Sequence, residues 1–484
     1  MAAQSIHAAV SFRQEAGIIS AVGAGTFVFS FQVAAVLVAL PAISAFLRPF
    51  FSAGWIVTTY LLCLTALLFL FGRLGDAYGN RRFYIGGLSL FTLASFLCAT
   101  VHGPAFFLLA RSAQGVGAAL SSANSPALLT RHLLPTRRGR ALGCQSAMTY
   151  LGLSIGPGVA AFLLSRFAWR SIFLVEVPAG VVAICLALYA LPRDAESSFG
   201  RATISLRGAA LWLACLVPLI FALSQGSQWG WFSADSVTLL LISALAVIAL
   251  VLTESRTRHP LENFDLFRSL NFSRSIVCEA LLYGGIYAIG FLIPILAVRS
   301  RDLGVATAGA ILTTQSLVRM IFTPLAGIIS DRFGAGRLIS AGSAVFAFGA
   351  LLLFLFCQHG SFMLLGLAVA LIGLGTSLFV PANSARLFAS APVPKHGMAA
   401  GTLATARNLG MLLGSAGAAA TCAKPLRLDT AGERLATDIR TAFCFVFVAS
   451  LAMLMAESVP LLARVLAVRS TTHPSTLPHA QEIG

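Results

Sequence analysis

Long apolar runs constrain the fold of this chain more than any other feature. Fourteen of them approach the roughly 20 residues that an α-helix needs to cross a bilayer. Of 484 residues, 58% are hydrophobic and only 10% charged, against roughly a quarter charged in soluble domains. Spanning segments must satisfy their own backbone hydrogen bonds, so we expect an all-α polytopic membrane protein. The runs are 17–41, 53–72, 83–101, 104–126, 140–165, 171–191, 206–225, 236–254, 273–297, 306–330, 337–357, 361–385, 397–422 and 441–467.

Basic residues predict the orientation of these spans. An even number of spans places both termini on one side. With an internal N-terminus, 21 of the 33 Lys and Arg residues fall in internal segments and nine in external loops. Positive residues favour the cytoplasmic side, so both termini are expected in the cytoplasm. The net charge of +16 then reflects topology, and nucleic-acid binding is not expected.

Two related loops indicate an internal duplication. The segment GRLGDAYGNRR (72–82) matches GIISDRFGAGR (327–337) at an offset of 255 residues. Four glycine pairs support it at an offset of 258, namely Gly115 with Gly373, Gly117 with Gly375, Gly152 with Gly410 and Gly156 with Gly414. Halves of the same orientation suggest parallel repeats with a cavity between them. We therefore expect two six-helix bundles, 1–195 and 272–470, a two-span insert at 196–271 (a 6+2+6 architecture) and a cytoplasmic tail at 471–484.

The 72–82 loop has the chemistry of a conformational switch. Its glycines permit a sharp turn and close helix approach. Asp76 can lie at the N-terminus of a neighbouring helix or pair with Arg81 or Arg82. Such a clamp could lock one face of a carrier, whereas the simpler reading is a basic loop with a stray acid. The candidate switch residues are Gly72, Gly75, Asp76, Gly79, Arg81, Arg82, Asp331 and Arg337.

The motifs together resemble a known family. The 72–82 loop is similar to the signature loop of the major facilitator superfamily. Further segments resemble its fourteen-span drug:proton antiporter family: ALPAI (39–43), WIVTTYLL (55–62), ARSAQGVGAAL (110–120), GLSIGPGVAA (152–161), WRSIFLVEVPAG (169–180) and RNLG (407–410). The resemblance implies an alternating-access transporter in the cell (inner) membrane, monomeric and coupled to protons. It also implies that Gly152, Gly156, Pro157 and Gly158 form an antiporter motif.

Span 5 supports that motif physically. Gly152, Gly156 and Gly158 are predicted to clear one helix face for close packing. Pro157 removes a backbone donor and kinks the helix. Such a helix could seal a central cavity against proton leak, although ordinary small-residue packing would produce the same pattern.

Ionisable residues inside the membrane are the best clues to function. From the helical rise per residue, we expect Arg111 to lie about 10 Å below the outer membrane face and Glu176 about 8 Å below it. Gln32 stands where the resembled family has an aspartate and cannot carry a proton. We therefore expect Glu176 or a nearby acid, paired with Arg111, to carry the proton, since burial opposes ionisation of the carboxyl while the arginine favours it. The alternatives are a static ion pair and a glutamate that reaches interfacial water.

The second half has its own candidates. Glu279 in span 9 and Arg319 in span 10 are a second candidate pair, less favoured because their estimated depths differ by about one helical turn. Arg407 in span 13 could contact the substrate or bind the carbonyl groups at a helix C-terminus, and the sequence favours neither role. Gln114, Arg319 and Arg407 are the candidates for the substrate cavity.

Other functions lack a site in the sequence. There is no phosphate-binding Walker loop, dinucleotide fingerprint or metal-ligand cluster, so no enzyme activity, cofactor or metal is expected. Cys422 and Cys444 flank one external loop and form either a disulfide or two free thiols. The main hypothesis is proton-coupled efflux of amphipathic small molecules. The alternatives are an uncoupled facilitator or exchanger of an anionic metabolite, and a membrane sensor or scaffold on a degenerate transporter fold.

Overall fold

The computed structural model describes residues 12–47, 54–193, 206–254, 265–296, 305–358, 361–428 and 432–471, and every regular element in these ranges is helical. The first half contains α1 (Phe12–Leu47), α2 (Gly54–Tyr78), α3 (Asn80–Thr100), α4 (Pro104–His132), α5 (Arg138–Arg166) and α6 (Arg170–Ala190). Then come α7 (Leu206–Trp229), α8 (Ala234–Glu254) and the short α9 (Asp265–Arg268). The second half contains α10 (Leu270–Ile295), α11 (Val305–Phe333), α12 (Ala335–Phe356), α13 (Phe362–Ser390), α14 (His396–Leu428) and α15 (Gly432–Thr471).

Hydropathy identifies most of these helices as membrane spans. In the described ranges, twelve helices are long and apolar enough to cross a membrane, α7 and α8 among them. The long helices α4 and α14 fall outside this set. They carry Arg111 and Arg407 together with several buried polar residues, which lower their hydropathy. The count of fourteen spans and the domain boundaries stay predictions.

Helix packing divides the molecule into two halves. In the first half, α1 packs on α5 and α6, and α4 packs on α2 and α3. In the second half, α10 packs on α14 and α15, and α13 packs on α11 and α12. The halves meet mainly where α2 contacts α14 and where α5 contacts α11. The second half therefore repeats the arrangement of the first.

Close helix approaches confirm the duplication at the level of single residues. A Cβ atom on Gly152 would lie 2.7 Å from the Phe27 carbonyl oxygen of α1. One on its partner Gly410 would lie 2.2 Å from the Ala280 carbonyl oxygen of α10, the equivalent helix. The repeated glycines thus mark the same backbone contacts in both halves.

The hairpin of α7 and α8 lies against the seam between the halves. Trp212 of α7 donates to the Ala66 carbonyl oxygen of α2 at 3.1 Å and stacks on Phe69. Residues of α2, α7 and α14 share a small apolar cluster that includes Leu216 and Leu412. The insert is therefore positioned by apolar contact with both halves.

The state of Cys422 and Cys444, either a disulfide or two free thiols, is only partly described. Cys444 is a free thiol. The side chain of Cys422 lies outside the described residues.

Candidate functional site

Asp76 joins the two halves at one end of the bundle. We call this the motif end, because the loops after α2, α4, α11 and α13 meet there. The Asp76 carboxylate accepts the backbone N–H groups of Gly397 at 2.8 Å and Met398 at 2.7 Å, the second and third residues of α14. Arg131 donates to Asp76 at 2.5 Å and to the Pro394 carbonyl oxygen at 3.0 Å. This set of contacts is the Asp76 clamp.

Asp331 makes the counterpart contact from the second half. Its two carboxylate oxygens accept the N–H groups of Gly139 at 2.9 Å and Arg140 at 2.8 Å. These are again the second and third residues of a helix, α5. Both carboxylates satisfy donors that a helix start leaves free and lie at its positive dipole end. This set is the Asp331 clamp.

The motif-end turns need their glycines. Gly79 and Gly334 adopt φ of 112° and 88°, a region that other residues rarely occupy. A Cβ atom on Gly72 would lie 2.1 Å from the Gly397 carbonyl oxygen, and one on Gly75 would lie 1.7 Å from Asn124 Oδ1. These positions let α2 approach α14 and α4 closely enough for the clamp to form.

The arginines predicted as partners of Asp76 lie elsewhere. Arg81 donates to the Leu191 and Leu188 carbonyl oxygens at the end of α6, at 3.1 and 3.0 Å. Arg82 and Arg337 are exposed. Of the two alternatives for Asp76, the structure shows the helix N-terminus, and the cationic partner is Arg131.

His396 adds a polar contact between the halves at this end. The residue is buried, and its Nδ1 lies 2.8 Å from Thr130 Oγ1 of α4. Its Nε2 lies 3.3 Å from the Ala391 carbonyl oxygen. Burial lowers the pKa of His396 to about 4, and the nearby Arg138 and Arg131 act in the same direction. The ring is therefore neutral at physiological pH.

The small-residue face of α5 is narrower than predicted. Gly152 and Gly156 meet the backbone of α1 closely, with a Cβ atom on Gly156 lying 2.9 Å from the Phe31 carbonyl oxygen. Gly158 has open space around its Cβ direction, so the prediction that all three clear one face is wrong for it. Two residues correspond to about 200° around a helix, which turns Gly158 away from α1. Pro157 lies inside α5, which continues unbroken.

Four helices of the first half build a buried polar cluster. Glu176 Oε2 of α6 accepts from Ser95 of α3 at 2.8 Å and from Gln114 Nε2 of α4 at 3.0 Å. Arg111 donates to Gln114 Oε1 at 2.7 Å and to the Ile56 carbonyl oxygen of α2 at 3.2 Å. Gln114 thus bridges Glu176 and Arg111, and the prediction that these two residues pair directly is wrong. We call these residues the Glu176 cluster.

Two buried polar side chains in this half lack hydrogen-bond partners for some of their atoms among the described residues. Glu176 is 1% exposed, yet its Oε1 has no hydrogen-bond partner among the described residues. Gln32 of α1 is fully buried, and neither of its amide atoms has such a partner. The Glu176 cluster therefore keeps spare capacity for a proton or a polar ligand.

In the second half, Glu279 pairs with Arg407. Arg407 Nη2 of α14 donates to Glu279 Oε1 of α10 at 2.6 Å, and Asn383 of α13 donates to Oε2 at 2.9 Å. The prediction that Glu279 pairs with Arg319 is wrong. The sequence gives the depth of each residue, whereas the rotation of α10 directs this carboxylate towards α14.

A second ion pair lies beside it. Glu457 of α15 binds Arg386 of α13 through both carboxylate oxygens, and Arg386 also donates to Asn383 at 2.9 Å. These contacts extend the polar groups of the second half from Glu279 to α15.

Aromatic rings connect Arg319 with the Glu279 pair. The Arg319 guanidinium of α11 lies 5.3 Å from the ring centroid of Tyr150, which belongs to α5 of the first half. Tyr283 of α10 lies close to Tyr150, and its ring lies 4.7 Å from the Arg407 guanidinium. Of the three predicted cavity residues, Arg319 and Arg407 thus share one neighbourhood, whereas Gln114 lies in the Glu176 cluster.

Two apolar grooves lie at equivalent places in the halves. One, of about 410 Å³, is lined by α10, α14 and α15 and includes Gly284, Leu413 and Phe445. The other, of about 690 Å³, is lined by α1, α5 and α6 and includes Phe27 and Met148. Among the described residues, neither lining contains an arginine or an acidic residue, so the polar clusters described above lie outside both grooves.

Sequence reasoning missed several members of these sites. Arg131 lies beyond the predicted span 4 (104–126), yet it is in the last turn of α4. Ser95, Asn383 and Tyr150 carry no charge and stand in ordinary apolar runs. Only the basic character of the segment after span 4 signalled Arg131, and the others had no signal in the sequence.

The fold and these sites define a class of protein. Two repeated six-helix halves, with polar clusters inside the bundle and clamps at one end, describe a polytopic membrane transport protein. The chain matches the family model of the Major Facilitator Superfamily over residues 22–254 and 275–482. It therefore belongs to that superfamily.

Individual relatives agree with this assignment. The chain is 28% identical over 362 residues to the riboflavin transporter RibZ of Clostridioides difficile, covering 75% of this chain and 78% of the relative. It is 29% identical over 402 residues to the multidrug resistance protein Stp of Mycobacterium tuberculosis, covering 82% and 74%. The solved structure of the proton:xylose symporter XylE aligns with a TM-score of 0.63 at 15% identity, covering 91% of this chain and 95% of that one. At this identity, the structural likeness concerns the fold alone.

Proposed function

We propose that this chain is a fourteen-span antiporter that exports amphipathic small molecules in exchange for protons by alternating access. The motif end is then cytoplasmic, as are both termini, and the two halves of one monomer close over it in the cell (inner) membrane. The observation that carries the coupling is the buried Glu176 carboxylate, whose Oε1 has no hydrogen-bond partner within the described ranges.

Glu176 is suited to hold and release a proton. Desolvation favours the neutral carboxyl, whereas the donors Ser95 and Gln114 and the nearby Arg111 favour the carboxylate. A change in the contacts of Gln114 alters both the hydrogen bonding of Glu176 and its link to Arg111. Because Gln32 cannot ionise, the proton in the first half falls to Glu176.

The second half contains another acid, Glu279, whose protonation would be linked to its ion pair with Arg407. Glu279 is neutralised by Arg407, and protonating it would free that arginine. A buried ion pair that loses one charge leaves the other uncompensated, so protonation here is linked to a rearrangement of α10 and α14. The pair therefore supports a role in coupling alongside Glu176.

Two observations support export rather than uptake. Gly152, Gly156 and Pro157 match the family's antiporter motif, and one relative is named a multidrug resistance protein. The proton gradient can drive the cycle, since each charge crossing 100 mV supplies about 2.3 kcal/mol.

Energised everted vesicles test this function. Vesicles containing wild-type protein receive lipophilic cations, neutral compounds and anions while a fluorescent dye follows internal pH. We expect substrate-triggered proton release that is abolished in Glu176→Gln and kept in Asp235→Asn, an exposed acid at the start of α8. Release that survives Glu176→Gln would remove Glu176 from the mechanism and direct attention to Glu279.

An uncoupled facilitator or exchanger of an anionic metabolite is the second candidate. The glutamine at position 32, in place of an acid, favours it. In that case labelled substrate would cross the vesicle membrane equally well after the proton gradient is collapsed, and no proton movement would accompany it.

A further inference from the structure

Arg319 differs in its bonding from Arg111, which is also buried, and from the partly exposed Arg407. Within the described ranges, Arg111 donates to Gln114 and Ile56, and Arg407 is neutralised by Glu279. Arg319 is 6% exposed, and its Nε and Nη2 have no hydrogen-bond partner among the residues that the structure describes. Buried charges are ordinarily paired because an unpaired one is costly. In the part of the chain that the structure describes, this guanidinium therefore has no acidic partner to compensate its charge.

A second unpartnered donor lies one turn away. Gln315 is also 6% exposed, and its amide nitrogen Nε2 has no partner among the described residues. Residues four apart occupy the same face of a helix, about 6 Å apart along its axis. Nε and Nη2 of Arg319 and Nε2 of Gln315 therefore present N–H donors on one face of α11 without an acceptor.

The surroundings of these donors lie at the junction of the two halves. Tyr150 of α5 provides an aromatic face against Arg319, at 5.3 Å from its centroid. Tyr283 of α10 connects Tyr150 with Arg407. A ligand at Arg319 would thus touch both halves, as the cargo of an alternating-access carrier must.

We propose that Arg319, assisted by Gln315, binds the anionic head group of an amphipathic cargo whose apolar part packs beside Tyr150. This inference rests on the proposed function, because it specifies the cargo of the same carrier. A guanidinium fork matches a carboxylate or sulfonate in two parallel hydrogen bonds. A cationic ligand would instead meet an uncompensated positive charge and is disfavoured. A bound inorganic anion is the other source of the same chemistry.

Matched probes of one ring system test the charge preference. Calorimetric titration of the purified full chain in detergent uses 2-naphthoate, neutral 2-naphthamide and cationic 2-naphthylmethylammonium. We expect wild type to bind 2-naphthoate at least about tenfold more tightly than the amide, as a charge-assisted hydrogen bond allows. Arg319→Gln should lose about tenfold for 2-naphthoate and leave the amide unchanged, with partial recovery in Arg319→Lys.

Control variants separate this site from general charge effects. Arg332→Gln removes an exposed arginine of the same helix and should bind all probes as wild type does. Gln315→Leu should weaken 2-naphthoate binding several-fold, and it keeps the test open if Arg319→Gln does not fold. Inorganic phosphate should compete only weakly, because it lacks the ring that contacts Tyr150.

Several outcomes would overturn the inference. One is equal affinity of 2-naphthoate for wild type and Arg319→Gln. Another is a wild type without preference for the anion, including a protein that binds none of the three probes. Phosphate that competes as well as unlabelled 2-naphthoate would identify an inorganic-anion site instead. No proton gradient is present in this titration, so charge-selective binding without proton release in vesicles would refute the coupling and leave the site intact.

Discussion

Replacing Asp76 with asparagine tests whether the Asp76 clamp holds the motif end closed. Asp76 is the described acceptor for the N–H groups of Gly397 and Met398, at 2.8 and 2.7 Å. A hydrogen bond to a charged group contributes about 1.5–3 kcal/mol. Asparagine keeps one neutral acceptor and loses the ion pair with Arg131. We therefore expect the closed state to lose about 2–3 kcal/mol.

Hydrogen exchange measures this loss directly. At about 1.4 kcal/mol per factor of ten, the amides of Gly397 and Met398 should exchange about 30- to 150-fold faster in Asp76→Asn. If the halves separate as rigid bodies, the amides of Gly139 and Arg140 at the Asp331 clamp should accelerate by the same factor. We expect this, because both clamps join the same halves at the same end.

Two comparisons guard this interpretation. Asp331→Asn should have a smaller effect, since Asp331 is only half-buried and the described contacts give it no arginine like Arg131. Asp235→Asn at the opposite end of the bundle should leave both clamps unchanged. Exchange within threefold of wild type at Gly397 and Met398 in folded Asp76→Asn would refute the clamp as the element that keeps this end closed.

Two further predictions concern stability. Because the folded pKa of His396 is about 4, below the usual 6.5, the unfolded state binds more protons between these values. The stability contributed by the neutral ring is present above pH 6.5 and falls towards pH 4, by at most about 1.4 kcal/mol per pH unit. His396→Gln should therefore flatten the dependence of Tm on pH between these values. An unchanged slope of Tm against pH would contradict this prediction. Gly152→Ala forces a Cβ atom against the Phe27 carbonyl oxygen and should cost about 1–3 kcal/mol. The matched Gly158→Ala, which has open space, should not lower the Tm, and equal Tm values would refute the packing argument.

The sequence predicted the helices better than their ends. Span 4 was predicted at 104–126, whereas α4 runs from Pro104 to His132. Hydropathy reports only the apolar part of a helix, and polar end turns continue the same backbone hydrogen bonding. This difference matters for function, because Arg131 lies in the last turn of α4, beyond the predicted end of span 4, and completes the Asp76 clamp. The duplication was easier to see, since the repeated glycines are set by close backbone contacts.

The sequence alone does not predict which acidic and basic side chains form ion pairs inside the bundle. Glu279 and Arg407 are 128 residues apart, and the estimated depths favour Arg319 as the partner of Glu279 only weakly, because they differ by about one helical turn. Which residue a carboxylate meets depends on the rotation of its helix and the choice of neighbour. Both are fixed by packing over the whole bundle. The unpaired state of Arg319 follows from this outcome and has no local sequence signal.

The two halves share a backbone plan but carry different polar chemistry, and this contrast supports a division of labour. The glycine contacts and the two carboxylate clamps occur at equivalent places in both halves, so the packing can rearrange in a similar way on either side. The acids do not: Glu176 lies on α6 and reaches its arginine through Gln114, whereas Glu279 lies on α10 and pairs directly. A repeated backbone provides two related conformations, but a ligand shifts their balance only through unequal interactions. The asymmetric groups, Glu176, Glu279 and the unpaired Arg319, are therefore where proton and cargo can bias an otherwise balanced exchange.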